Sequence, residues 1–140
     1  MTEQTKNIKK SAVVRSGWVV VIIVALAAAV GQSFGRFSFG VLLPAIRDDL
    51  GITNTLAGIL GATNVGAYLL GTLIVAWATS RYRLINVLRT GLVLATLGLL
   101  IAGATKGAWV LALGLFIAGI GGSFLWIPAP VIAADAMPAE

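Results

Sequence analysis

Residues 51–80 read GITNTLAGILGATNVGAYLLGTLIVAWATS, a stretch of 30 residues without one charged side chain. A helix needs about 20 mainly apolar residues to cross the hydrocarbon core of a bilayer. The stretch therefore predicts a membrane-spanning helix over residues 53–79. Thr53 or Asn54 is its expected N-cap, because both side chains can accept a hydrogen bond from the first helical turn.

Uncharged runs also flank this stretch, at residues 16–35 and 107–134. A shorter run at residues 90–105 reaches a spanning length when its helix begins at Leu84. The chain is 59% hydrophobic and only 11% charged, whereas soluble domains carry about 25% charged residues. We therefore expect an all-α, polytopic membrane protein with a basic tail (residues 1–15) and a transmembrane bundle (residues 16–140). The four predicted helices lie at about residues 17–45, 53–79, 84–105 and 108–134.

Basic residues are distributed unevenly between the two predicted sides of the membrane. One side carries seven, Lys6, Lys9, Lys10, Arg15, Arg81, Arg83 and Arg89, and the other carries Arg47 and Lys106. The positive-inside rule then places the N-terminus and the connection between the second and third helices in the cytoplasm. An even number of helices returns the C-terminus to the cytoplasm. The pI near 10.3 is thus a signal of topology in a cell membrane, with membrane lipid and not nucleic acid as the partner.

Chemical groups for catalysis are scarce in this chain. It contains no cysteine and no histidine, and no acidic residue falls inside a predicted span. The commonest general base, the commonest zinc ligand and every thiolate are therefore missing. We expect no enzyme activity, no cofactor and no metal site.

Arg36 is the exception, since it lies inside the first predicted helix. A charged side chain at the centre of a bilayer costs at least about 2.5 kcal/mol on insertion scales. On a helical projection it shares a face with Gln32, one turn away, opposite the large apolar side chains. The arginine either extends toward the headgroups or faces a wet cavity, where it would attract an anionic group.

Two further polar residues, Asn64 and Tyr68, lie one turn apart on the second predicted helix. They either form hydrogen bonds between helices or bind a substrate, together with Gln32 and Arg36. The third predicted helix has few polar residues, and we expect it to be a supporting helix that faces lipid.

Small residues four apart predict close helix packing. They form two edges, Gly31 with Gly35 on the first helix, and Gly114, Ala118 and Gly122 on the fourth. Turn-forming residues predict a turn over residues 48–51, with Pro44 carried in the first helix, and a kink near Pro128 in the fourth.

The runs GRFSFGVLLPAIRDDLGIT (residues 35–53) and AGILGATNVGAYLLGTL (residues 57–73) resemble the first two helices of bacterial transporters of the major facilitator superfamily. The run AGIGGSFLWIPAPVIAADAMPAE (residues 118–140) is similar to the fourth helix of that family and the start of its next loop. Two positions depart from the family pattern. The loop containing Arg81 and Arg83 lacks the usual acidic residue, and Leu115 occupies a position where the family often has arginine.

The resemblance covers about residues 16–140 and implies a secondary active transporter that moves a small solute by alternating access. It also implies that Arg81 and Arg83 belong to a cytoplasmic gating loop. Because such transporters have about twelve helices in nested inverted repeats, we expect the chain to be a fragment with about four. Its partners would be the missing C-terminal helices of the same parent chain. The alternative is a complete small four-helix membrane protein, either an oligomeric exporter or a non-transporting accessory protein.

Overall fold

The computed structural model describes residues 17–29 and 37–136, and the regular structure within these ranges is entirely helical. The helices are α1 (Gly17–Ala29), α2 (Ser38–Leu50), α3 (Asn54–Thr79), α4 (Leu84–Ala104), α5 (Ala108–Trp126) and α6 (Ala129–Asp135). Three segments of this part of the chain are long and apolar enough to cross a membrane: α3, α4, and α5 continued by α6. The shorter apolar helix α1 accompanies them. The predicted class, an all-α membrane protein, is confirmed.

Helix α2 extends further than the sequence predicted. Asp48 and Asp49 lie within its last turn, and the chain leaves the helix only at Gly51, whose φ is 61°. The predicted turn over residues 48–51 was therefore wrong for its first three residues. Glycine adopts left-handed φ values without the steric cost that a Cβ would add, so the helix continues until a glycine can end it. Pro44 is carried inside α2, as expected.

Thr53 begins the next helix. Its extended backbone and its side-chain oxygen, which accepts a hydrogen bond from the Leu56 amide at 3.3 Å, form the N-cap of α3.

The fourth predicted helix is divided in two. Helix α5 ends at Trp126 and α6 begins at Ala129, with Ile127 and Pro128 between them. Pro128 and Pro130 have no amide hydrogen, so the hydrogen bonds to the carbonyls four residues earlier are lost. The backbone stays close to helical values here, because the Ile127 amide still donates to the Ser123 carbonyl at 3.1 Å. The interruption is thus a local break of the kind expected near Pro128.

Helix α5 lies at the centre of the bundle, with α3 and α4 packed along it. Glycines let the α4 and α5 backbones approach. A Cβ added at Gly98 would lie 2.7 Å from the Gly114 carbonyl oxygen, and one added at Gly114 would lie 2.8 Å from the Gly98 carbonyl oxygen. Two turns away, a Cβ on Gly121 would lie 2.8 Å from the Ala95 Cα. No side chain fits at these positions without separating the two helices.

Helix α4 has the outward apolar face expected of a lipid-facing support, and it also has a second face that packs within the bundle. One of its faces is buried against α5, along a line of apolar and small residues: Val87, Leu88, Gly91, Ala95 and Gly98. The scarcity of polar groups in α4 had indicated lipid contact. In a bilayer, however, lipid and neighbouring helices are equally apolar, so hydrophobicity alone does not identify the packed face.

The outward faces of α2, α3 and α4 carry large apolar side chains. Among them are Val41, Ile59, Leu69, Leu73, Val93 and Leu100, all more than half exposed in the isolated chain. A soluble monomer rarely exposes a contiguous apolar surface of this kind. This surface is what a helix bundle presents to lipid or to further helices.

Substitution of Gly98 by alanine tests the close approach of α4 and α5. The new methyl group would overlap α5 backbone atoms that cannot rotate away, so we expect Gly98→Ala to lower the free energy of unfolding by about 1–3 kcal/mol. The measurement is unfolding in mixed detergent micelles, followed by circular dichroism. Gly103→Ala is the matched control on the same helix, because a Cβ there meets nothing within 4 Å. Equal stability of the two variants would contradict the packing described.

Candidate functional site

Asn64 is the most deeply buried polar residue among the predicted binding residues that the structure describes. Its side chain is only 4% exposed, in the contact between α3 and α5. Its amide nitrogen donates a hydrogen bond to the Leu115 carbonyl oxygen at 2.8 Å. The donor and the acceptor lie 51 residues apart in the chain. This hydrogen bond sets the register between α3 and α5.

Leu115 contributes its backbone oxygen to this contact, and its side chain is buried within an apolar cluster with Leu60 and Leu111. It occupies the position where the resemblance leads one to expect arginine. The Leu115 side chain is surrounded by apolar groups, and the polar contact at this position is the hydrogen bond that its backbone carbonyl accepts from Asn64.

Tyr68 lies one helical turn beyond Asn64 and is half-buried. Both residues lie along the contact between α3 and α5. The two backbones are close here, since a Cβ on Gly119 of α5 would lie 2.9 Å from the Ala67 Cβ and 3.2 Å from the Tyr68 amide nitrogen. Nearer the start of α3, a Cβ on Gly61 would lie 3.6 Å from the Phe39 ring of α2. The face of α3 with Asn64 and Tyr68 is therefore turned toward other helices.

Ser123 is a buried polar residue that the sequence pattern did not single out. It is fully buried on α5, and its hydroxyl donates to the Ile120 carbonyl of its own helix at 2.7 Å. The hydroxyl lies so close to Gly71 of α3 that a Cβ on this glycine would overlap it. The available signal was the run of small residues from Gly121 to Ser123. Within residues 17–29 and 37–136, Asn64 and Ser123 are the buried polar side chains.

Four predicted residues lie outside the described part of the chain: Gln32 and Arg36, predicted to bind the substrate, and Gly31 and Gly35, predicted to pack.

The predicted packing residues of α5, Gly114, Ala118 and Gly122, are all buried. Gly114 and Ala118 face α4, since a Cβ on Gly98 would lie 2.7 Å from the Gly114 oxygen and 2.8 Å from the Ala118 Cα.

Arg47 forms hydrogen bonds at the end of the bundle where α2 connects to α3. Its guanidinium donates to the Asn54 side-chain oxygen at 2.9 Å and, through Nε, to the Asp48 carboxylate at 2.8 Å. The end of α2 is thus joined to the start of α3. These groups are exposed, so the contact orients the loop more than it stabilises the fold.

At the other end, Arg81 and Arg83 occupy the connection between α3 and α4, and both are exposed. The Arg81 guanidinium carbon lies 5.9 Å from the centre of the Trp77 ring, within the range of a cation–π contact. The Trp77 and Tyr82 rings meet edge to face, with centroids 6.3 Å apart.

Comparison with known protein families decides the class of this protein. The sequence profile of the Major Facilitator Superfamily matches residues 14–140. The chain belongs to the major facilitator superfamily. A search of curated proteins and a search of solved structures found no significant match.

Membership in the major facilitator superfamily explains the class of fold. Members are multi-pass membrane proteins that transport small solutes, and the match includes all six described helices. The predicted resemblance and the membrane class are confirmed.

Substitution of Asn64 tests the hydrogen bond between α3 and α5. Asn64→Leu keeps a side chain of similar size and removes the donor, and we expect the free energy of unfolding to fall by about 0.6–1.7 kcal/mol. Thr63→Val is the matched control, because the Thr63 hydroxyl bonds only to the Ile59 carbonyl of its own helix. Unfolding in mixed micelles measures both variants. A larger loss for Thr63→Val than for Asn64→Leu would contradict the role given to Asn64.

Proposed function

We propose that this chain forms the first helices of a secondary active transporter that moves a small anionic solute across the cytoplasmic membrane by alternating access. The observation that carries the proposal is the superfamily match over residues 14–140. The anionic character of the solute rests on Arg36, the one charged residue between residues 16 and 46.

Arg36 suits an anion site for a physical reason. A guanidinium in a membrane-spanning segment is costly unless it meets water, a partner or a ligand. On a helical projection of the sequence, Arg36 would share a face with Gln32, opposite the large apolar side chains. A carboxylate or phosphate can accept two parallel hydrogen bonds from a guanidinium, which adds geometric specificity to charge attraction.

Asn64 and Tyr68 are the other proposed contributors. Their face of α3 is turned toward the bundle, and the polar group of Asn64 lies where α3 and α5 meet. Substrate sites of such transporters lie near the bilayer midplane, at the interface of structural repeats. We infer that the solute contacts this side of α3 at the half-buried Tyr68, where Asn64 holds α3 against α5, together with the face of the first helix that carries Gln32 and Arg36.

The complete site would require further helices. Three helices make one inverted repeat of this superfamily, and repeats combine to enclose the site. In this chain α3 and α4 would be the second and third spans of the first repeat. The span formed by α5 and α6 would then be the first span of a second repeat. We infer that the remaining helices belong to the same parent chain. Reading the gene beyond codon 140 tests this inference, and about eight more apolar spans would support it.

Replacement of Arg36 in the complete transporter tests the anion site. We expect Arg36→Ala to reduce uptake by roughly thirtyfold or more, because a charged ligand would lose its partner in a poorly solvated site. Arg36→Lys should retain part of the uptake. The solute is first selected by thermal-shift screening of carboxylates, sulfonates and phosphates, since a ligand of the folded state raises its stability. Arg89→Ala is the control near the α4 terminus, and normal uptake by Arg36→Ala would exclude the site.

Labelling of introduced cysteines in the 140-residue chain tests the inferred orientation, because these 140 residues contain no cysteine. We expect Lys106→Cys to react with a membrane-impermeant maleimide added to intact cells. Ser80→Cys should react only after the membrane is permeabilised, because the positive-inside rule places the α3–α4 connection in the cytoplasm. Both parent side chains are exposed, so reactivity reports the side of the membrane. The reverse pattern would overturn the orientation.

A further inference from the structure

A groove runs between α3 and α4 at the end where these helices are connected. Its cavity volume is about 280 Å³, close to the lower limit for small-ligand pockets. Ile74, Trp77, Tyr82 and Val87 line its walls, and Phe124 of α5 lies at its base. Asn86 and Thr90 of α4 add polar atoms to a surface that is otherwise apolar.

The groove follows from the way the bundle packs. Helices α3 and α4 both pack along α5, and they contact each other little. Their shared core at this end consists of Val75, Ala78 and Val87 around Phe124. The space outside this core stays open between the two helices, and Trp77 at its edge is 56% exposed.

Two exposed cations lie next to the groove in the chain. Arg81 and Arg83 flank Tyr82 in the sequence, and Tyr82 lines the wall. The Arg81 guanidinium is near the Trp77 ring. In the described part of the chain neither arginine forms an ion pair, whereas Arg47 pairs with Asp48.

We propose that this groove binds an anionic phospholipid. Arg81 and Arg83 hold the phosphate, and the upper part of one acyl chain lies between Trp77 and Phe124. Basic pockets between transmembrane helices have the chemistry that recognises anionic headgroups. The binding surface is independent of Arg36 and of the transported solute.

A lipid fits this groove better than a soluble anion does. The groove lies at the ends of two spans, where the bilayer supplies phosphate at the same depth as the loop. Its walls are mainly apolar, and its exposed edges are Ile74, Trp77 and Tyr82. Tryptophan and tyrosine favour the headgroup region of a membrane. A soluble phosphate would use the arginines and leave the apolar walls without a partner.

Fluorescence quenching by brominated lipids tests the proposal with the 140-residue chain in phosphatidylcholine vesicles. The vesicles contain a minor fraction of either phosphatidylglycerol or phosphatidylcholine, with the same brominated acyl chains, so that only the headgroup differs. The reporter variant retains Trp77 and carries Trp18→Phe, Trp109→Phe and Trp126→Phe. The control variant retains Trp109, which is 84% exposed at the opposite end of the bundle.

We expect the relative association of brominated phosphatidylglycerol at Trp77 to exceed that of brominated phosphatidylcholine by about fivefold or more. The ratio at Trp109 should be near one. Adding Arg81→Gln and Arg83→Gln to the reporter variant should reduce the Trp77 ratio to within about a factor of two of the control, since each basic residue near an anionic surface contributes about fivefold. Equal ratios at Trp77 and Trp109, or an unchanged ratio in the glutamine variant, would overturn the proposal.

Two further measurements identify the ligand and protect the test from misfolding. Inorganic phosphate, compared with sodium chloride at equal ionic strength, should not reduce the Trp77 ratio further, and a specific reduction would assign the site to soluble phosphate instead. Arg81→Lys with Arg83→Lys keeps both charges and should keep most of the preference. If circular dichroism shows that the glutamine variant is unfolded, the proposal is tested with the lysine variant and with the Trp77 preference measured at a series of salt concentrations. A preference that salt does not weaken would overturn the proposal.

Discussion

The close approach of the α5 backbone to α3 and α4 is the constraint on which the rest of this structure depends. In a bilayer, apolar side chains gain little by leaving lipid for a protein interface, so helices associate through close packing and hydrogen bonds. Gly98 and Gly114 bring α4 and α5 together, and Gly119 with Gly71 does the same for α3 and α5. One helix thus organises two neighbours because its small residues lie on two of its sides.

The same constraint places the polar groups of the bundle. Once α3 lies against α5, the Asn64 amide reaches the Leu115 carbonyl, and the Ser123 hydroxyl lies against Gly71. The contact also determines where the bundle is open. Because α3 and α4 share α5 and contact each other little, a groove remains between them beside Trp77 and Tyr82. The same pair of helices therefore has a close contact with α5 on one side and an open groove on the other.

The helix boundaries illustrate how far local chemistry can predict the fold. The Thr53 cap was predictable because one side-chain oxygen and an extended backbone are sufficient to begin a helix. The end of α2 was predicted several residues too early, because Asp48 and Asp49 resemble turn residues while a helix can carry them in its last turn. The break after Trp126 followed from two prolines. The burial of α4 was not predictable, since its composition is the same whether it faces lipid or protein.

The candidate site shows a similar division. The sequence singled out Asn64 by its amide within an apolar span, yet its partner is a backbone carbonyl that no side-chain pattern can indicate. Ser123 remained unnoticed because serine is common in membrane helices, and only the adjacent α3 backbone makes its position exceptional.

By itself, the sequence determined that the chain spans a membrane as helices and belongs to the major facilitator superfamily, because uncharged length and family motifs are properties of the linear chain. Only the tertiary structure decided that α5 is central, which faces of α3 and α4 pack against it, and where a groove remains. The physical reason is that lipid and protein neighbours are equally apolar, so the packed face is selected by the fit between backbones brought together from distant parts of the chain.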